Sequence, residues 1–192
     1  MRLIGFNGTM GVGKSTAIEC LKDELPANTR MKLVKFAQPL YDMQESIYRR
    51  IQTVHERPED FTKDRKLLQW LGTDWGRDTI SKTLWVDIWK AEVIKTRYLY
   101  PDTVVVCDDV RFDNEAEMLK SLGGVIVKIT SGHAEKRIDT KSGISNHASE
   151  AGINPSFIDC EVENNGTRLE FLNKMTEVYK KYSILLYNTR SN

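Results

Sequence analysis

Near its start the chain carries Gly8-Thr9-Met10-Gly11-Val12-Gly13-Lys14-Ser15, between the apolar run Leu3-Ile4-Gly5-Phe6 and a segment in which Ile18 and Leu21 fall at helical spacing. A G-x-x-x-x-G-K-S pattern between a strand and a helix constrains the fold more than any other feature here, because it needs that context to work. The glycines let the backbone turn tightly and aim successive N–H groups at phosphate oxygens. The helix that follows adds the partial positive charge of its N-terminus. Lys14 then reaches the β/γ-phosphates, and the Ser15 hydroxyl takes a position on Mg²⁺. Gly11, Val12, Gly13, Lys14, Ser15 and Thr16 are the expected nucleotide-binding residues, with ATP and Mg²⁺ as the expected ligands.

The remaining runs supply a sheet for this loop. Thr103 to Cys107 and Val125 to Ile129 are continuously apolar, as in parallel strands buried on both faces. Lys32 to Phe36 and Ile158 to Glu163 read as shorter strands. Leu40, Met43, Ile47 and Ile51 recur at helical spacing. Lys66 to Leu71 reads as a helix with Gly72 as its stop, and two helices broken near Ser81–Thr83 follow up to Tyr100. The stripe Val86, Trp89 and Val93 marks these aromatic residues as core. Glu115 to Leu122 is a helix ended by Gly123-Gly124, and Thr167 with Glu170 forms a capping box that opens the last helix. Residues 130–156 are polar, show weak periodicity and suit a functional lid. Strands alternating with helices predict an α/β fold with a parallel sheet covered on both faces.

At 192 residues one domain is expected, with a core at 1–36, 101–130 and 157–192, a helical insert at about 37–100 and a lid at about 131–156. Lys and Arg total 28 against 27 for Asp and Glu, a balance that argues against a basic nucleic-acid surface. No apolar run is long enough to cross a bilayer. The N-terminus runs directly into strand and loop, so no cleavable signal is expected. Cys20, Cys107 and Cys160 are widely spaced and fit buried thiols in a reducing compartment. His133, His147 and Cys160 lack zinc-ligand spacing, and no G-x-S-x-G elbow is present.

Four apolar residues followed by an acid, Val104 to Asp108, have the form of the strand whose carboxylate holds Mg²⁺ beside a phosphate loop. Counting favours Asp108, with Asp109 next to it. Phosphoryl transfer also needs positive charge for the acceptor phosphate and the migrating group. Arg65, Arg77 and Arg111 are candidates, Arg111 the best placed because it follows the acid pair. His147 could meet phosphate or base, although a loop histidine is the plainer reading.

Several phrases resemble one family. They are Phe36-Ala37-Gln38-Pro39-Leu40, Leu68-Gln69-Trp70-Leu71-Gly72-Thr73-Asp74-Trp75-Gly76-Arg77-Asp78, Asp109-Val110-Arg111-Phe112-Asp113-Asn114-Glu115, His147-Ala148-Ser149-Glu150 and Asn164-Asn165-Gly166-Thr167. Together they resemble the phage-type deoxynucleoside monophosphate kinases, of the P-loop nucleoside monophosphate kinases. The resemblance implies transfer of the γ-phosphoryl of ATP to a deoxynucleoside monophosphate with Mg²⁺. It also implies a three-layer P-loop kinase fold with a five-stranded parallel sheet of order 2-3-1-4-5, a helical acceptor insert and a lid. In the family pattern the acid directly before Val-Arg is the expected one, so Asp109 moves ahead of Asp108, with both kept.

The resemblance further assigns Arg65, Gln69 and Trp70, with Arg77, Arg111, His147 and Glu150, to the acceptor side, and Phe36 and Leu40 to its base pocket. It places Asn164, Asn165 and Thr167 near the donor adenine and Arg137 in the lid. Asp113 stands where Pro is usual, which should alter a loop and leave the chemistry intact. Partners are then small molecules, with neither nucleic acid nor membrane, and a homodimer if the chain assembles at all. The place of work is the cytoplasm, that of the host if the chain is phage-encoded. Kinases of other small phosphorylated metabolites, such as dephospho-coenzyme A, and nucleotide-driven ATPases or switches are the competing classes.

Overall fold

The computed structural model describes residues 2–56, 63–132 and 152–184. The apolar runs pair as expected. Strands β1 (Arg2–Asn7), β2 (Met31–Leu33), β3 (Val104–Cys107), β4 (Val125–Thr130) and β5 (Cys160–Glu163) form one parallel sheet in the order β2-β3-β1-β4-β5. The described helices are α1 (Lys14–Glu24), α2 (Gln38–Ile51), α3 (Arg65–Trp70), α4 (Leu84–Leu99), α5 (Asp113–Ser121) and α6 (Arg168–Lys181).

Register decides which side chains share a face. Leu3 lies opposite Val105 and Ile4 opposite Val106, while Gly5 lies opposite Ile126. Successive side chains of a strand point to opposite faces, so this pairing sorts the strands into two cores. On one face Ile4, Phe6, Val104, Val106, Val127 and Ile129 meet Ala17 and Leu21 of α1 and Phe171 and Met175 of α6. On the other, Leu3, Val105, Cys107 and Ile126 meet Trp89 and Val93 of α4 and Ala116 and Leu119 of α5. Each fully buried Val, Leu, Ile, Phe or Met among these contributes about 1.5–3 kcal/mol. Tyr179 is buried with its hydroxyl donating to the Ala17 carbonyl, which fastens α6 to α1.

Two expectations are corrected. The second strand stops at Leu33 instead of Phe36. Val34 N–H still donates to the Val106 carbonyl, but the next groups leave the sheet: the N–H groups of Phe36 and Ala37 go to Asp109, and the Phe36 ring stacks on Trp89 at 4.4 Å. Gly72 does not end its helix. The backbone continues as a wide π-helical segment, Leu71–Ile80, which ends with Ser81 N–H on the Gly76 carbonyl, a five-residue step. Gly72 and Gly76 are both buried in this segment. The Gly72 carbonyl accepts from Trp85 Nε1 at 2.8 Å, so a residue of α4 satisfies the backbone group that a stop would have exposed.

Gly76 shows how tightly that contact is built. A Cβ there would lie 2.4 Å from Trp85 Cζ2 and 2.7 Å from the Leu71 carbonyl oxygen. Trp85 is only 2% exposed and its indole is tethered, so it has nowhere to move. Gly76→Ala is therefore expected to lower stability by about 2–3 kcal/mol, the upper part of the range for overpacking. The check is urea denaturation, with the midpoint falling at an unchanged slope.

Candidate active site

Parallel strands all end at one edge, and the segments leaving β1, β2 and β3 are therefore brought together there. β1 lies between β3 and β4, so the glycine-rich loop that leaves it sits directly beside the acids that leave β3. The loop enters α1 through Gly13, whose φ of 110° is costly for any residue with a side chain. A Cβ at Gly13 would also come within 2.6 Å of Asn164 Nδ2. That amide donates to the Val12 carbonyl at 2.8 Å, so the turn after β5 braces the loop from behind.

The Lys14 ammonium curls over its own loop, donating to the Gly8 carbonyl at 2.6 Å and the Thr9 carbonyl at 2.8 Å. Burial lowers its pKa first, then the charges of Arg111 and Lys35, against the opposing pull of Asp108 and Asp109. These charged groups thus share one neighbourhood. Ser15 is exposed at the first turn of α1.

The two neighbouring acids are used differently. Asp109 Oδ1 accepts from Phe36 N–H at 3.0 Å and from the Cys107 thiol at 3.2 Å, and its Oδ2 accepts from Ala37 N–H at 2.8 Å. Burial raises the pKa of Asp109 despite these donors. It acts as a clamp between the exits of β2 and β3. Asp108 Oδ2 accepts from the Lys35 ammonium at 2.9 Å, while its Oδ1 is buried with no partner among the described residues. A buried acceptor without a partner is unfavourable unless something binds it. A hard carboxylate oxygen of this kind fits Mg²⁺, which takes few protein ligands and keeps water and phosphate oxygens for the rest. The geometry therefore favours Asp108 as the metal carboxylate, in line with strand counting and against the order that the resemblance implied. Among the described residues no group of three or more His, Cys, Asp or Glu side chains is clustered to hold a metal by itself.

Arg77 and Arg111 are connected through Glu115. This carboxyl is 2% exposed. Its Oε2 accepts from the N–H groups of Arg111 at 2.8 Å and Phe112 at 3.1 Å, the reach-back half of a capping box at the start of α5. Its Oε1 accepts from Arg77 Nη2 at 3.0 Å, and the Arg77 guanidinium lies 3.9 Å from the centre of the Phe112 ring. Burial pushes Glu115 up to about 7; the Arg111 N–H opposes this, the Asp109 charge adds to it, and Arg77 pulls it back. The Asn7 amide, itself buried, donates to the Val110 carbonyl at 2.9 Å, so β1 also holds the segment that presents Arg111.

The other candidates are distributed around this centre. Phe36 is buried against Trp89 and touches the site through its N–H. Leu40, on α2, faces Gly72. Arg65, Gln69 and Trp70 stand exposed on α3, whose first turn is capped by Asp64, itself held by Tyr48 and Gln44 of α2. Asn165 accepts from Gly132 N–H, and Thr167 caps α6. Thr16 is partly buried in α1. Asp113, where the family phrase usually has Pro, accepts from Asn154 N–H at 2.7 Å and so anchors the chain returning toward β5. Arg137, His147 and Glu150 lie outside the described residues.

Lys35, Glu115 and Asn7 were not singled out from the sequence. Glu115 ends the most specific phrase, and that was a usable signal; Lys35 and Asn7 carried none beyond a polar residue at the end of an apolar strand.

The gathered loop, acid and arginines make a candidate phosphate site, and comparison with known proteins gives its family. Residues 6–175 match the deoxynucleotide monophosphate kinase family. A mimivirus protein (Acanthamoeba polyphaga mimivirus), assigned as a deoxynucleotide monophosphate kinase, is 32% identical over 145 residues, covering 67% of this chain and 74% of its own length. The deoxynucleoside-5'-monophosphate kinase of Escherichia phage T5 is 32% identical over 137 residues, 64% of this chain and 51% of that protein. Among solved structures, dephospho-CoA kinase from Campylobacter jejuni shares the fold at a TM-score of 0.50, with 16% identity and 95% of this chain against 96% of that one covered. Likeness at that identity concerns the fold alone, whereas the family match spans both the phosphate loop and the Asp109-to-Glu115 phrase, and so the chain belongs to the deoxynucleotide monophosphate kinase family.

Proposed function

We propose that this protein transfers the γ-phosphoryl group of ATP to a deoxynucleoside monophosphate, giving ADP and the deoxynucleoside diphosphate. The observation that carries the reading is the meeting of two separate phrases at one point: Arg77, from the segment after α3, is seated on Phe112 and Glu115 beside Arg111, at the same sheet edge as Lys14 and Asp108. Such an arrangement provides for two phosphate-bearing substrates, whereas a nucleotide switch needs only one.

In this mechanism the loop N–H groups and Lys14 hold the donor phosphates. Lys14 must leave the Gly8 and Thr9 carbonyls to do so, which exchanges neutral acceptors for charged ones. Asp108 Oδ1 and Ser15 Oγ are the groups that would hold Mg²⁺; when bound, that ion offsets the charge of the phosphate oxygens. Arg77 and Arg111 orient the acceptor phosphate in line and neutralise charge that develops during transfer. Arg65, Gln69 and Trp70 on α3, with Leu40 on α2, stand toward the acceptor nucleoside, and Asn164, Asn165 and Thr167 toward the donor. The acceptor phosphate oxygen already carries charge, so the chemistry requires no general base. The core spans 1–36, 101–130 and 157–192, the acceptor side about 37–100 and the lid about 131–156, where Arg137, His147 and Glu150 fall. Closure of such a lid excludes water and prevents futile hydrolysis. The partners are the two nucleotides, and the place of work is the cytoplasm; among the described residues no helix is long and apolar enough to cross a membrane.

The test is a coupled ADP-release assay across deoxy- and ribonucleoside monophosphates, with dephospho-coenzyme A as a contrasting acceptor. Release that depends on one or more deoxynucleoside monophosphates is expected. Equal release without any acceptor would mean an ATPase, and release with dephospho-coenzyme A alone would mean a different kinase.

A further inference from the structure

We propose that Lys35 is a resident counter-cation for Asp108, so that its ammonium and the nucleotide-bound metal compete for one carboxylate. The inference rests on the reading of Asp108 as the metal carboxylate and adds to it a residue that neither the phosphate loop nor the arginines include.

The local geometry gives Lys35 one freedom only. Its backbone is held on both sides: Val34 N–H donates to Val106, and the N–H groups of Phe36 and Ala37 donate to Asp109. The exit of β2 is thereby locked to the exit of β3, and the side chain alone is left to move. Its Nζ reaches Asp108 Oδ2 at 2.9 Å, with the lysine side chain 30% exposed and the aspartate 16% exposed. The ammonium is therefore the more exposed partner of the pair, and the Oδ1 of the carboxylate is its buried end. Burial works against the Lys35 charge, but the hydrogen bond and charge of Asp108 outweigh it, and its pKa is raised.

Charge balance then sets up the competition. Lys14, Lys35 and Arg111 already outnumber Asp108 and Asp109 in this neighbourhood. A divalent ion on Asp108 Oδ1, next to an ammonium on Oδ2 of the same carboxylate, would place like charges a few ångströms apart in a partly dehydrated site, where repulsion is strong. The cation on the movable side chain is the one that yields. Before the metal nucleotide arrives, the same ammonium keeps Asp108 from standing as an uncompensated, partly buried charge. Lys35 also lies where α2 begins, its backbone carbonyl accepting from the Gln38 N–H. Metal arrival would thus free a lysine on the acceptor side, linking occupation of the donor site to positive charge for the second substrate.

A purely structural ion pair predicts the reverse: a lysine that only orients Asp108 would improve metal binding, and its loss would weaken it. The two are separated by titrating Mn²⁺ into the full chain with ADP and reading free Mn²⁺ by electron paramagnetic resonance, which needs no turnover. Five proteins are compared: the unsubstituted chain, Lys35→Met, Asp108→Asn, the double variant and Lys35→Arg. Lys35→Met should bind Mn²⁺ about three- to fivefold more tightly, the scale of a part-exposed ion pair. Asp108→Asn should bind it more weakly, and on that background Lys35→Met should change nothing. Lys35→Arg, which keeps the pair, should match the unsubstituted chain, and Lys35→Gln replaces the methionine variant if that fails to fold. Unchanged or weaker Mn²⁺ binding in Lys35→Met, together with a loss in Asp108→Asn, overturns the competition. No loss in Asp108→Asn instead overturns the assignment of Asp108 to the metal.

Discussion

Lys14→Ala should lose about three orders of magnitude in kcat while remaining folded. The size follows from the role: a preorganised cation on phosphate oxygens stabilises charge in the transition state, and removal of one such donor costs roughly 10²–10³-fold or more. The fold should survive because the ammonium contributes only local bonds, to the carbonyls of Gly8 and Thr9 in its own loop. Its loss also relieves repulsion from Arg111 and Lys35. Steady-state kinetics against ATP, with a thermal melt alongside, make the check. A variant that melts normally yet keeps transfer within about tenfold of the parent would remove Lys14 from the chemistry. Lys14→Arg should not rescue, since a planar guanidinium cannot replace a compact ammonium in so close a cradle.

The second large effect is expected at Glu115, which touches neither substrate in the proposed scheme. Glu115→Ala strips the acceptor from two backbone N–H groups at the start of α5 and leaves the part-buried Arg77 guanidinium without its carboxylate. Breaking a buried pair by removing one partner costs about 3–5 kcal/mol. Denaturation should show that loss, and turnover should fall with it, because Arg77 and Arg111 both take their positions from this carboxyl.

Its pH behaviour provides a finer readout. The folded pKa is about 7, above the ordinary carboxyl value of 4.5. A raised acid pKa means that the folded state holds the proton more firmly than the unfolded one. The stability from this group is therefore full below pH 4.5 and is lost as pH rises toward 7. Activity should run the other way: Arg77 has a charged partner only once Glu115 ionises, so kcat/KM should rise through the neutral region. Glu115→Gln, which has no such proton, should flatten both profiles between pH 5 and 8. A parent profile that stayed flat across that range would show that ionisation of Glu115 has no part in placing Arg77.

Much of the fold was legible because its signals are local. The continuous apolar runs at 103–107 and 125–129 mark strands covered on both faces wherever they lie in a chain, and they form β3 and β4 with bounds within one residue of that reading. The Thr167–Glu170 capping box starts α6 at the expected place. Gly72 misled because glycine is a stop signal only when its neighbours are in water; here Leu40 and Trp85 surround it, and the helix widens and continues. The second strand was read too long for a similar reason. Its apolar pattern reaches Phe36, but the backbone donors there are claimed by Asp109, 73 and 72 residues away in the chain.

The functional residues divide along the same line. By itself the sequence marked Gly8 to Ser15 as a phosphate-binding loop, because that task is performed by consecutive backbone groups whose geometry glycine permits. It also determined family membership, since the phrases that carry it are short and contiguous. Only the tertiary structure separated Asp108 from Asp109, two identical side chains one residue apart. Asp109 has both oxygens taken up, by the N–H groups of Phe36 and Ala37 and the Cys107 thiol, whereas Asp108 pairs with Lys35 through one oxygen and keeps the other buried without a partner among the described residues. And only the tertiary structure joined Arg77 to Glu115 and Lys35 to Asp108, because charges find partners across space, and sequence separation says nothing about which of them the sheet edge will bring together.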